Sequence, residues 1–118
     1  MRRLAVALAA AVVLLGGPPA AAHRVAPEEV MGQITEPASR ARLGVVGAER
    51  DPRLPRLLIV RVGERWLTLD AALRRETAET WRERWRHVVA GGVVAVTDAE
   101  GRSLVSFDAA GRAQLREP

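Results

Sequence analysis

The chain has no cysteine and no tyrosine, all 18 of its basic residues are arginine, and phenylalanine occurs once. The absence of cysteine excludes disulfides, thiolate metal sites, a thiol nucleophile and a cysteine for lipid attachment. Without lysine or tyrosine, no ordinary group titrates between histidine and arginine. A small positive excess therefore gives the chain a very high isoelectric point, which overstates how basic its surface is. The formal net charge at pH 7 is only +4. This charge is weak support for a polyanionic partner, and we expect no nucleic-acid partner.

Recognisable catalytic motifs are also missing. The sequence contains no G-x-S-x-G, no H-E-x-x-H and no P-loop. Ser39, Ser103 and Ser106 have no histidine near them in the sequence. Asp98 and Asp108 belong to turn-forming D-A-x-G-R segments, which explain both residues without catalysis. We therefore expect that the protein is not an enzyme.

The first 22 residues have the features of a secretory signal peptide. Arg2 and Arg3 give a positive start, an apolar run of 12 residues follows from Leu4 to Leu15, and small residues end at Ala22 in an A-x-A pattern. Twelve apolar residues are well short of the roughly 20 that a spanning helix needs, so we expect no stable membrane span after cleavage. This pattern predicts a bacterial protein that is periplasmic or secreted, with cleavage after residue 22.

The remaining residues, 23–118, are predicted to form a single small domain. Apolar residues make up 48% of the chain and charged residues 27%, which is a globular rather than a disordered composition. The clearest patterns lie in 56–118, and 23–55 is a less regular lead-in of helix and strand. A domain of this size without disulfides needs most of its large apolar side chains for its core.

The lead-in segment begins with a helix signal. Pro27 fits the first helical position, and two acidic residues follow it at the positive end of the helix dipole. Pro37 interrupts this helix. Either residues 38–43 resume the helix or residues 43–46 form a strand, and the pattern does not separate these alternatives. Residues 48–55 are predicted to be a charged loop flanked by proline.

The core segment alternates between strand and helix patterns. Leu57–Val62 is apolar on both faces, which is typical of a central strand. A helix is predicted over 71–87 or 71–88, with Asp70 as its N-cap and two glycines after its end. Val93–Thr97 is a second apolar strand. The connection between the two strands is long enough for a crossover, which makes them candidates for parallel neighbours in a mixed sheet.

The tail repeats one turn pattern. D-A-E-G-R at 98–102 and D-A-A-G-R at 108–112 suit type I turns that are each closed by a left-handed glycine. With strands at 103–107 and 113–115, these turns predict an antiparallel meander. The expected fold is a small α+β domain with an antiparallel-rich or mixed sheet and one long helix packed on one face. A helix and a strand in the lead-in would give the order αββαββ.

The long helix carries one apolar stripe. Leu73, Thr77, Trp81, Trp85 and Val88 recur at intervals of three or four residues. A small domain with a single phenylalanine has few other large anchors, so we expect both tryptophans to lie in the core.

Three residues are candidates for a binding surface: Trp66, Arg82 and Arg86. Trp66 lies at the corner between the first core strand and the long helix, where a half-exposed ring would form the edge of a cleft. Arg82 and Arg86 lie on the opposite side of the helix from the stripe. Their guanidinium groups suit an anionic envelope polymer, a lipid headgroup or a protein partner, or they are simply paired or solvated.

His23 carries the one metal hypothesis. If cleavage follows Ala22, the amino group and imidazole of His23 can chelate a copper ion through two nitrogens. Such sites usually need another imidazole, and His87 is the only other histidine. The place of His87 near the end of the long helix also fits an ordinary role opposite the helix dipole.

The combined features predict an exported accessory or interaction module without enzymatic activity, which binds a protein partner or a ligand. No cofactor is expected from this interpretation. Two alternatives stay open: a copper-binding or copper-delivery protein that uses His23, and an arginine-mediated binder of an anionic envelope polymer.

Overall fold

The computed structural model describes residues 25–118. In chain order its elements are α1 (Pro27–Ile34), α2 (Pro37–Leu43), β1 (Val45–Arg50), β2 (Leu57–Val62), α3 (Glu64–Leu67), α4 (Ala71–Val88), β3 (Val93–Thr97), β4 (Ser103–Phe107) and β5 (Ala113–Leu115). The signal peptide, its cleavage site and His23 lie outside the described residues and stay predictions. Within 25–118, no helix is both long enough and apolar enough to cross a membrane.

The five strands form one mixed sheet in the order β1-β2-β3-β4-β5. β1 is antiparallel to β2, β2 is parallel to β3, and β3, β4 and β5 form an antiparallel meander. The parallel pair is joined by the crossover that contains α3 and α4. The small α+β domain, the parallel neighbours and the C-terminal meander are therefore confirmed.

The lead-in contains both the helix and the strand that its sequence pattern offers as alternatives. α2 resumes the helix at Pro37 and ends at Gly44, whose φ of 77° lies in the left-handed region that glycine adopts without strain. β1 starts directly afterwards. α1 and α2 precede β1 and β2, and α3 and α4 precede β3 and β4. With each pair of helical segments counted as one α, this is the predicted αββαββ order, and β5 is added at its end.

The prediction of a charged loop over 48–55 is wrong for residues 48–50, which continue β1. Their side chains suit an edge strand that has one covered face. Ala48 packs against the core, Glu49 points to the opposite face, and Arg50 places its guanidinium 5.4 Å from the centre of the Trp85 ring. Pairing with the apolar β2 therefore outweighs the charged composition of the segment.

α4 packs its tryptophans into the core, as the apolar stripe predicts. Trp85 is fully buried and Trp81 is 4% exposed. The buried line continues through Ala78 to Arg74, whereas Leu73 is only partly buried. The predicted stripe is therefore displaced by one residue near the start of the helix. The stem of Arg74 can be buried there because its Nε donates to a carbonyl of the α3–α4 connection at 3.2 Å.

Both D-A-x-G-R segments form the predicted turns. Gly101 and Gly111 have φ values of 84° and 85°. In each turn the aspartate carboxylate accepts the backbone N–H of the arginine four residues later at 2.9 Å. Asp98 and Asp108 are therefore held as turn formers.

Candidate functional site

The helices cover one face of the sheet and leave the other uncovered. Alternate residues of β2 and β3 are buried under the helices, and the residues between them face away. Leu57 lies beside Val93 and Ile59 beside Ala95 in the parallel register. We call the surface formed by these four residues the open face. Val93 is its most accessible member, with 41% of its surface exposed.

The open face is bordered by one ion pair. Glu49 and Arg61 lie on the same side of the sheet, and their side chains meet at 2.6 Å. Both are close to half exposed, so the pair adds little stability. The remaining charged residue of the five strands, Arg50, lies on the helix side over Trp85. The strands therefore present a surface that is apolar at its centre and neutral overall.

Sequence reasoning named no residue of the open face. The unbroken apolar run of β2 is its one sequence signal, and that run predicts only a central strand, which β2 is. The four helices of residues 25–118 all pack on the same side of the sheet. The apolar residues on the other side are therefore left without a cover in the described part of the chain.

Trp66 is buried rather than half exposed. Its ring has no exposed surface and stacks on Trp81, with the ring centroids 5.5 Å apart and the planes inclined by 21°. The expectation of an accessible ring at a cleft edge is wrong in this respect, because the short α3 turns the side chain into the core. Within residues 25–118, Trp66 Nε1 has no hydrogen-bond partner.

Arg82 and Arg86 are both engaged with their own fold. The Arg82 guanidinium lies 5.7 Å from the centre of the Phe107 ring and packs against the turn at Gly111. Arg86 Nη1 donates to the Gly92 carbonyl at 3.1 Å, beyond the C-terminal end of α4. Acidic residues of α4 line the same surface depression. Polymer binding by these arginines stays a prediction, and their contacts give them a structural role as well.

A polar groove of about 510 Å³ lies between α2 and α4. Each helix side contributes one acid and one base: Glu36 and Arg42, and Glu76 and Arg84. Its volume suits a small ligand. The buried side-chain nitrogen and oxygen atoms that lack a hydrogen-bond partner in residues 25–118 belong to Trp66 and Thr97, and neither residue lines this groove. The groove therefore offers a ligand no unsatisfied buried side-chain group among the described residues.

A smaller, more apolar cavity of about 360 Å³ brings the start of the described chain to the end of α4. Val25 and Val30 line it together with Glu83, His87 and Val88. His87 itself is exposed. Among residues 25–118, no three histidine, cysteine or acidic side chains are grouped so that they could hold a metal ion. A metal site here would need ligands from residues that precede Val25.

The first D-A-x-G-R turn holds a carboxylate with a perturbed pKa. Burial acts to raise the pKa of Asp98, but hydrogen bonds from the backbone and guanidinium of Arg102 and from the backbone of Glu100 outweigh it, and the pKa is lowered. The backbone N–H of Arg112 likewise lowers the pKa of Asp108. Both carboxyls are kept ionised, which suits turn formation and opposes a role as a proton donor.

Comparison with known proteins gives no family: no family model, no curated protein and no solved structure matches the chain.

Proposed function

We propose that this protein is an exported interaction module, without enzymatic activity, that binds a protein partner on its open face. The observation that carries the proposal is the one-sided cover of the sheet. Leu57, Ile59, Val93 and Ala95 form a continuous apolar surface that no described part of the chain covers. Val93 is exposed and the other three are partly buried, and an accessible apolar patch of this kind is a common feature of interaction sites.

The charge of the open face favours a protein over an anionic polymer. Glu49 and Arg61 neutralise each other at its border, and its centre is apolar. A polyanion would gain nothing from such a surface, whereas an apolar protein patch would lose little on desolvation. The matching partner surface is therefore apolar at its centre and uncharged overall.

The size of the whole uncovered sheet face, of which the open face is the apolar part, indicates a transient complex. Five strands about 4.8 Å apart, each rising about 3.3 Å per residue, span an area of roughly 400 Å². A standard stable interface buries about 800 Å² on each partner. The sheet face alone supplies about half of that, so we expect weak binding or additional contacts from neighbouring loops.

Site-directed photo-crosslinking in the producing cells tests this proposal. A benzophenone amino acid at Val93 should give a discrete product that contains this chain and a second protein. The same group at Arg75, an exposed position on α4, serves as the matched control. Ile59→Asp should remove the product because it places a charge in the contact. Equal products from positions 93 and 75, or none from position 93, would refute the proposal.

Copper binding is a second candidate, and the position of Val25 favours it. Val25 shares a cavity with His87, and His23 lies two residues before it. Two extended residues span up to about 7 Å. Such a site would combine the amino group and imidazole of His23 with the imidazole of His87, which are three nitrogen ligands.

Calorimetric titration of the mature protein with Cu²⁺ tests the copper candidate. One tight site is expected, which an extra residue before His23 should abolish and which His87→Ala should weaken. His87→Ala leaves the fold intact because the side chain is exposed. Copper affinity that is unchanged in both variants would rule this site out.

A further inference from the structure

At each edge of the sheet, a helix side chain makes one hydrogen bond to the edge strand's backbone. At β1, Arg40 of α2 donates from Nη1 to the Val46 carbonyl at 2.7 Å, while its Nε donates to the Thr35 carbonyl at 2.8 Å. At β5, a carboxylate oxygen of Glu79 accepts the Ala113 N–H at 2.7 Å. An open sheet edge is a template for pairing with another chain, and natural proteins protect such edges.

The two edges differ in how much backbone they leave free. β5 has only three residues, and Glu79 occupies one of its outward groups. β1 has six residues. The Asp51 N–H points inward to the Leu57 carbonyl, so strand alternation turns the backbone groups of Ala48 and Arg50 outward. β1 is therefore the edge with backbone groups available to a further strand.

The charges of β1 favour pairing with a second copy through the first half of the strand. A closed two-fold dimer pairs β1 with itself in antiparallel orientation, and outward residues must face outward residues. An axis at Glu49 opposes two glutamates, and an axis at Arg50 opposes two arginines, which is unfavourable. An axis at Ala48 places Val46 opposite Arg50 of the partner copy and Gly47 opposite its glutamate. Axes at Val46, Gly47 or Ala48 bring no like charges together, because Glu49 and Arg50 then face uncharged residues or lie outside the pairing.

All three of these registers are obstructed by Arg40. Each requires the Val46 carbonyl of each copy as an acceptor, and Arg40 holds that oxygen at 2.7 Å. We propose that Arg40 guards the β1 edge, and that loss of this contact opens a strand-addition site whose occupant is a second copy of this chain. This inference concerns the edge of the sheet and does not rest on the proposed use of the open face.

Sedimentation equilibrium of the Arg40→Met variant tests the guard. Methionine keeps an aliphatic stem but removes every donor, so two acceptors per dimer become free. We expect self-association to tighten on the order of tenfold for each hydrogen bond gained. Arg42→Met is the matched control, because Arg42 is exposed on the same helix and lines the groove towards α4. An Arg40→Met protein that is folded by circular dichroism and no more associated than the Arg42→Met protein would overturn the proposal.

Two second-site variants locate the new contact. Ala48→Pro removes one outward N–H within the expected contact, where an edge strand tolerates proline, and should restore the monomer in the Arg40→Met background. Ile59→Asp should leave the association intact, since Ile59 lies on the open face. Association that survives Ala48→Pro, or that Ile59→Asp removes, would show that the contact is not the β1 edge and would refute the guard.

Discussion

Two buried tryptophans that differ in one hydrogen bond allow a sharp test of the core. Trp66 and Trp85 are both fully buried. Trp85 Nε1 donates to the Arg56 carbonyl at 2.8 Å, whereas Trp66 Nε1 has no partner within residues 25–118. Replacing each with phenylalanine is the same chemical change in two different polar environments. We expect Trp85→Phe to destabilise the fold clearly more than Trp66→Phe does.

The expected difference follows from the fate of each indole N–H. The smaller ring costs both variants a similar transfer and cavity term, which cancels in the comparison. Trp85→Phe also loses a hydrogen bond worth about 0.5–1.5 kcal/mol net, while Trp66→Phe removes an unpaired buried donor that costs about 1–3 kcal/mol. The two effects add to about 1.5–4.5 kcal/mol. A weaker stack on Trp81 opposes them by about 0.5–1.5 kcal/mol at most, since phenylalanine keeps a ring there.

Urea denaturation followed by far-ultraviolet circular dichroism gives both free energies of unfolding. The comparison requires equal m-values, because a changed slope signals a changed unfolded or native state. Near-ultraviolet circular dichroism checks that the remaining aromatic side chains keep a fixed environment. If Trp66→Phe destabilises the protein as much as Trp85→Phe or more, the Trp66 donor is satisfied in solution and the reasoning fails.

Three further predictions concern backbone, titration and core. Gly44→Ala should destabilise the fold in thermal melts, because position 44 has φ 77° and a Cβ there would lie 2.8 Å from a backbone nitrogen. Gly32→Ala is the control, since position 32 faces open space on α1. This change should be neutral or stabilising by up to about 1 kcal/mol. The lowered pKa of Asp98 contributes stability that is present above the ordinary aspartate pKa and is lost as pH falls through the lowered value. Asp98→Asn should therefore show a smaller drop in Tm than the wild type between about pH 5 and pH 2. Trp81→Ala should cost about 3–5 kcal/mol in urea denaturation, and near-wild-type stability would show that its ring does not act as a core anchor.

The turns and the long helix could be predicted closely because their signals are local. Gly101 and Gly111 occupy the left-handed positions that the D-A-x-G-R repeat requires. Asp70 caps α4 by accepting the Ala72 N–H at 3.2 Å. The extent of β1 was missed, because a strand of mixed charge is stabilised by its neighbour and not by its own propensity. Arg40 gave no sequence signal, since its acceptor lies on β1 and the contact forms only when α2 packs beside that edge.

The sequence by itself determined the two core strands, the long helix, the C-terminal meander and the burial of Trp81 and Trp85, because helical spacing and turn chemistry act over a few residues. Only the tertiary structure decided the burial of Trp66, the internal contacts of Arg82 and Arg86, and the open face. Periodicity shows which side of a strand is apolar, but it does not show what covers that side. The four helices of the described chain all lie on one face of the sheet, so the apolar residues of the other face remain accessible to a partner.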